Sequence, residues 1–122
     1  MRNKLIFIAL LLIGSATFFT GCTKEDPKPT TGGLKILPQL KNSTGYLKGV
    51  QVGLATSKSN LDNSIYLQDK VSNSSGVADF GQLNPGNYYY DCFTLVGGDE
   101  YYGEGQVQIT AGTNLELTLI LE

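Results

Sequence analysis

The sequence predicts an all-β fold, a seven-stranded Greek-key β-sandwich behind an N-terminal signal and a flexible tether. From Gly33 onward, short stretches rich in Val, Leu, Ile, Tyr and Thr alternate with clusters of Gly, Asn, Ser and Pro, which is the spacing of strands and turns in a sandwich. No segment shows a helical period of apolar residues. The 15 glycines and 7 tyrosines, with no tryptophan and no histidine, suit a turn-rich β domain.

The chain divides into a leader at 1–21, a tether at 22–33 and a body at 34–122. Arg2 and Lys4 precede an apolar run from Leu5 to Phe19 that ends in small residues before Cys22, the three-part layout of a secretory signal. The run is short for a bilayer span, which needs about 20 apolar residues. Phe19-Thr20-Gly21-Cys22 resembles the lipobox of bacterial lipoproteins, with Phe19 where family boxes usually carry Leu. The resemblance implies cleavage before Cys22 and acyl chains, palmitate among them, on its thiol, so that the membrane is the first expected partner. The other reading is a secreted protein in which Cys22 pairs with Cys92. Against it, Cys22 sits at the edge of the apolar run, outside any folded element.

Thr23 to Gly33 is polar, proline-bearing and free of apolar side chains, so it buries nothing and reads as an extended tether. Its Lys24-Glu25-Asp26 is similar to the acidic signal that sends some lipoproteins to the outer face of the outer membrane, and it also fits a plain solvated linker. The expected location is the outer membrane, lipid-anchored, with the cell surface as one of its two faces.

In the body the expected strands are 34–37, 49–56, 65–71, 77–80, 87–96, 101–110 and 114–121. Neighbouring side chains on a strand point oppositely, so period-two alternation fixes the faces. Val50, Val52 and Leu54 point one way; Gln51, Gly53 and Ala55 point the other. Leu115, Leu117, Leu119 and Leu121 are inward, as are Ala78 and Phe80, with Leu83 plugging the end of the core. The two long strands pair as a hairpin around Gly97-Gly98-Asp99-Glu100, with Val96 opposite Tyr101. That register sets Tyr88, Tyr90, Cys92 and Thr94 inward against Ile109, Val107, Gly105 and Gly103. It leaves Tyr89, Asp91, Phe93 and Leu95 outward, facing Gln108, Gln106, Glu104 and Tyr102.

Ser75-Gly76-Val77-Ala78-Asp79-Phe80-Gly81-Gln82-Leu83-Asn84-Pro85-Gly86-Asn87-Tyr88 resembles the signature of carboxypeptidase-regulatory-like and Cna-B-like domains: a turn glycine, a short strand, a Leu-Pro-Gly-type turn and a Tyr-led strand. Gly49 to Leu54 looks like their second strand, and Val107 to Thr113 like their penultimate strand and its hairpin. The resemblance implies a prealbumin-like sandwich of the kind that serves as spacer, stalk unit or binding module. Local chemistry agrees, since Asn84-Pro85-Gly86-Asn87 offers the fixed φ and positive φ of a type II turn. Cna-B-like domains often carry a Lys-to-Asn isopeptide bond. Lys35 matches its lysine, but no asparagine follows Leu115 and Asn114 sits at the wrong end of the last strand, so the cross-link is not expected.

Composition narrows the chemistry. With Arg2 and Lys4 in the leader, 7 basic groups face 11 acidic ones in the remainder, a net charge of −4, which disfavours nucleic acid. Without histidine there is no His-based triad and no ordinary zinc site. Cys92 is expected to be buried and inert. Asn60, Asp62, Asn63 and Ser64 form an oxygen-rich stretch, but their spacing is not that of an EF-hand and a plain turn fits better. Asp99 and Glu100 read as solubilising a hairpin tip. Neither enzyme activity, cofactor nor metal is expected. The expected role is a spacer or protein-binding module of the envelope, with an accessory glycan-binding lipoprotein as the alternative, since Tyr46, Tyr66, Tyr89, Tyr101 and Tyr102 could stack on sugar rings. Tyr89, Phe93, Leu95 and Tyr102 form the candidate binding patch, an apolar group where polar residues are normal, and a segment at 57–64 folding over it is the competing reading.

Replacing the acyl acceptor is the direct test of the anchor. Cys22→Ser is expected to leave unlipidated precursor, with no incorporation of a labelled fatty acid. Equal labelling of variant and wild type overturns the lipoprotein reading.

Overall fold

The computed structural model describes residues 28–122. The leader and Cys22 lie outside the described residues. Seven strands build two sheets: β1 (Gly32–Leu40), β2 (Gln51–Ala55), β3 (Gln68–Val71), β4 (Ala78–Leu83), β5 (Gly86–Val96), β6 (Asp99–Ile109) and β7 (Asn114–Leu121). One sheet runs β4-β1-β7 and the other β3-β2-β5-β6. β1 lies parallel to β7 and antiparallel to β4, while the second sheet is antiparallel throughout.

The inward faces are those the alternation predicts. Leu34, Ile36, Val52, Leu54, Ala78, Phe80, Leu83, Tyr88, Tyr90, Cys92, Ile109, Leu119 and Leu121 form one buried cluster, with Val50, Leu115 and Leu117 partly buried against it. Burial of this apolar surface is the main favourable term in such a domain. Tyr88 keeps its polar end satisfied by donating from Oη to the carbonyl of Asn84 at 2.7 Å, which ties the start of β5 to the turn that precedes it. The sheets meet at one corner, where Tyr102 and Glu122 exchange two backbone hydrogen bonds of 3.0 Å.

Several sequence-based expectations need correction. The β5–β6 register is two residues tighter than expected, with Val96 opposite Asp99, Tyr88 opposite Val107, Tyr90 opposite Gly105 and Cys92 opposite Gly103. Only Gly97 and Gly98 form the turn, at φ +62 and +89. Positive φ at both central residues gives the turn whose twist matches the flanking strands, so a two-residue connection wins over a four-residue loop. The shift of two preserves every face. β4 continues past Phe80 to Leu83 by way of a bulge, where Leu34 pairs with Gly81 and Lys35 with Asp79. Gly86 has φ +152, far from the value near +80 that a type II turn requires, and already belongs to β5.

β1 begins at Gly32, taking in the two glycines read as the end of the tether, and runs through Pro38. Pro38 has no amide proton. It lies beyond the last β1–β4 pair, Ile36 with Ala78, and its carbonyl accepts from the Leu47 N–H at 2.7 Å. The expected third strand at 65–71 shrinks to β3, and a five-residue helix, α1 (Lys58–Asp62), appears where no helix was expected. Ser57 caps it by accepting from the Asn60 N–H at 3.0 Å, and Leu61 is its buried residue. One turn and a half is too short to register as a period, so only the cap residue signals it in the sequence. The oxygen-rich stretch thus serves as the end of α1, where the Asn63 amide donates to the carbonyl of Ser59 at 2.9 Å. Lys35 is exposed on the outer face of its sheet, with Asp79 and Glu116 opposite, while Asn114 accepts from the Gly33 N–H at 3.1 Å.

Phe80 is 4% exposed at the centre of the cluster. Phe80→Ala is expected to cost about 3 to 5 kcal/mol in urea melts, the range for a large aromatic lost from a core. A near-neutral result contradicts the assigned inner face of β4.

Candidate binding site on the outer sheet face

The outer face of the β3-β2-β5-β6 sheet carries two adjacent rows of side chains. In one row Asp69 lies opposite Gly53, Gly53 opposite Asp91, and Asp91 opposite Glu104, placing three carboxylates across four strands. In the next row Val71 lies opposite Gln51, and Phe93 opposite Tyr102. A groove of about 370 Å³ opens over both rows, lined by Gln51, Gly53, Ser64, Tyr66, Asp91, Phe93 and Tyr102.

Gly53 makes the groove possible. A Cβ at this position would sit 2.2 Å from the Tyr66 ring, so Tyr66 can fold across the sheet only because residue 53 has no side chain. From there Tyr66 Oη donates to Asp91 Oδ1 at 3.0 Å. Asp91 is left only 9% exposed, at the floor of the groove. Its other oxygen, Oδ2, lies 3.5 Å from Tyr102 Oη, but that hydroxyl is 2.8 Å from Glu104 Oε1. A phenol has one proton to give, and the shorter contact takes it, so Oδ2 lacks a donor among the described residues. Lys58 of α1 pairs with Asp62 at 2.5 Å and with Glu104 at 3.5 Å, and does not pair with Asp91.

The electrostatics follow from this arrangement. Burial pushes the Asp91 carboxyl above its ordinary range; the hydroxyl of Tyr66 opposes that shift, while Glu104 and Asp62 add to it by repulsion. Burial likewise raises the Tyr66 and Tyr102 phenols, which therefore stay protonated donors. On the inner face, burial pushes the Cys92 thiol up to about 11, consistent with an inert core cysteine.

The four residues of the expected patch separate. Phe93 and Tyr102 face each other and remain 54% and 45% exposed. Leu95, 61% exposed, follows Phe93 on the same face, diagonal to Tyr102. Tyr89 lies toward α1, half-buried in a separate depression shared with Lys58 and Leu61. The segment from Ser57 to Tyr66 therefore covers one end of the face and leaves the other open. Asp91 and Tyr66 are the site residues that the patch omitted. The isolated Gly53 inside an apolar strand was the available signal, since a strand glycine marks a close approach by another group.

No family model matches the sequence, and no curated protein matches it. Solved structures resemble the fold. A Bacillus anthracis TIE protein has a TM-score of 0.56 at 23% identity, over 76% of this chain and 16% of that one. A Pseudomonas aeruginosa protein proposed to bind carbohydrate has a TM-score of 0.53 at 14% identity, over 77% of this chain and 90% of that one. The major pilin subunit of Bacillus cereus has a TM-score of 0.55 at 17% identity, over 77% of this chain and 30% of that one. The chain thus spans about a sixth of the Bacillus anthracis protein. At these identities the likeness establishes the fold, a β-sandwich domain.

The raised Asp91 carboxyl gives a signed pH dependence. Between its ordinary value of 3.8 and its raised folded value, the native state binds more protons than the unfolded chain, so this group's contribution to stability falls as pH rises. Asp91→Asn removes that slope. The stability of the variant relative to wild type is therefore expected to grow as the pH rises above about 4 in urea melts. A difference that is flat or runs the other way contradicts a desolvated Asp91.

Proposed function

We propose that the chain is a non-catalytic, lipid-anchored module of the cell envelope that binds a protein partner through the open end of its outer sheet face. The observation that carries the reading is the exposed Phe93–Tyr102 pair, directly opposite one another and flanked by exposed Leu95 on a solvent face. Solvent faces of antiparallel sheets are normally polar, and contiguous apolar groups at such positions mark contact surfaces. Anchoring through Cys22 and the polar tether would hold this face away from the bilayer, at the outer membrane. The domain between anchor and partner then also acts as a spacer.

A second reading is supported by a specific feature of the same groove. Aromatic rings beside Gln51, Ser64 and Asp91 are the combination with which sugar-binding sites stack on and hydrogen-bond a saccharide, and the similar Pseudomonas aeruginosa protein is one proposed to bind carbohydrate. Protein binding ranks first because the apolar surface continues past the groove to Leu95, farther than one sugar ring needs.

The test is to make Phe93→Ser and Tyr102→Ser and to follow stability and partner retention together. Stability is expected to change by no more than about 0.5 kcal/mol, as for surface positions, while cross-linking to an envelope protein is lost, read from position 95 in Phe93→Ser and from position 93 in Tyr102→Ser. Unfolding of both variants would show the residues to be structural and remove the binding face. Saturable binding on a glycan array with no protein cross-link would establish the second reading instead.

A further inference from the structure

The outer-face groove is unbalanced in both charge and hydrogen bonding. Asp91 lines it, Asp69 and Glu104 lie in the same row across the sheet, and Asp62 is close enough to repel Asp91; Lys58, the basic group among them, is already held by Asp62 and Glu104. Asp91 is 9% exposed, yet its Oδ2 faces the groove without a donor, because the Tyr102 proton is committed to Glu104. A carboxylate oxygen buried without a donor is costly, and one more donor, best a charged one, relieves the cost. Around that oxygen stand three aromatic rings: Tyr66 over Gly53, with Phe93 and Tyr102 opposite each other on the neighbouring row.

We infer that the groove receives an arginine side chain of the protein partner, its guanidinium donating to Asp91 Oδ2 while its plane lies against Phe93 and Tyr102. Arginine fits better than the alternatives on three grounds. Its donors are fixed in a plane, so one edge can reach a carboxylate while the face covers a ring, which an ammonium cannot do. It is positive, complementing a groove whose other carboxylates repel Asp91. It is more weakly hydrated than an ammonium and therefore easier to bring into a half-buried site. A neutral saccharide would meet the hydrogen bond and the rings but would leave the excess negative charge unanswered. The inference rests on the binding-face reading and specifies what that face recognises.

The test uses the full chain, isotopically labelled, and three probes: N-acetyl-arginine amide, N-acetyl-citrulline amide, which has nearly the same shape without the charge, and maltose. The arginine probe is expected to shift the backbone amide signals of Gly53, Asp91, Phe93 and Tyr102 saturably, with citrulline at least about tenfold weaker and the arginine effect weakening as salt screens the charge. Asp91→Asn is expected to lose the preference for arginine over citrulline while keeping a folded spectrum. Equal response to arginine and citrulline, no response to any probe, or saturation by maltose in place of arginine each overturns the inference. The two levels separate in the cross-linking assay from position 93. An Asp91→Asn chain that cross-links like wild type, while Tyr102→Ser does not, overturns the arginine and keeps the binding face. Retention by both variants overturns both.

Discussion

Eleven residues of β5 lie against eleven of β6 in a register set by Gly97 and Gly98, and most of what distinguishes this domain depends on that alignment. On the inner side it brings Tyr90 over Gly105, where a Cβ would sit 2.5 Å from the tyrosine oxygen, and places Cys92 beside Gly103. On the outer side it sets Phe93 against Tyr102 and Asp91 against Glu104. A slip of one residue would exchange the two faces, exposing Tyr90 and burying Glu104, a change that no local adjustment could absorb. The turn thus acts on the core and on the groove at once, although it touches neither.

The groove is assembled from three levels of this organisation. The hairpin supplies the carboxylate and the aromatic pair, β2 supplies the gap at Gly53, and the connection from β2 to β3 supplies Tyr66 to fill it. Tyr66 reaches the sheet because α1 buries Leu61 and so pins the connection against β2 and β5. Each contribution is ordinary alone. Together they hold a carboxylate at the edge of desolvation, with one oxygen satisfied and the other open to a visitor.

Alternation made the strands and their inner faces legible, because period two is a strong signal when one side of a strand meets a core. Val52, Leu54, Phe80 and the leucines of β7 all fell where that signal put them. The hairpin register did not follow from it, since a shift of two leaves the pattern unchanged; only turn chemistry separates the two alignments, and the adjacent glycines carried that information. The helix escaped because five residues contain no repeat. At the site, exposure of Phe93, Leu95 and Tyr102 was readable from their parity, whereas the burial of Asp91 was not. It depends on a ring arriving from 25 positions away in the chain, and an outward parity alone marks an aspartate as solvated. Tyr89 left the patch for the same reason, since α1 comes to rest beside it.

The parallel pairing of the first and last strands has a mechanical consequence. Eight successive pairs, from Gly33 with Asn114 to Leu40 with Leu121, join β1 to β7 with both strands running the same way. The start of β1 and the end of β7 therefore lie at opposite ends of a ladder roughly 26 Å long at the usual strand rise. A pull applied between Gly32 and Leu121 would run along the strands and load every rung together, so none could open without the rest. Were the two strands antiparallel, the same pull would peel the rungs one by one. Anything attached at those two points would be joined by a shear-loaded clasp, whose resistance is set by its rate of unfolding rather than by equilibrium stability.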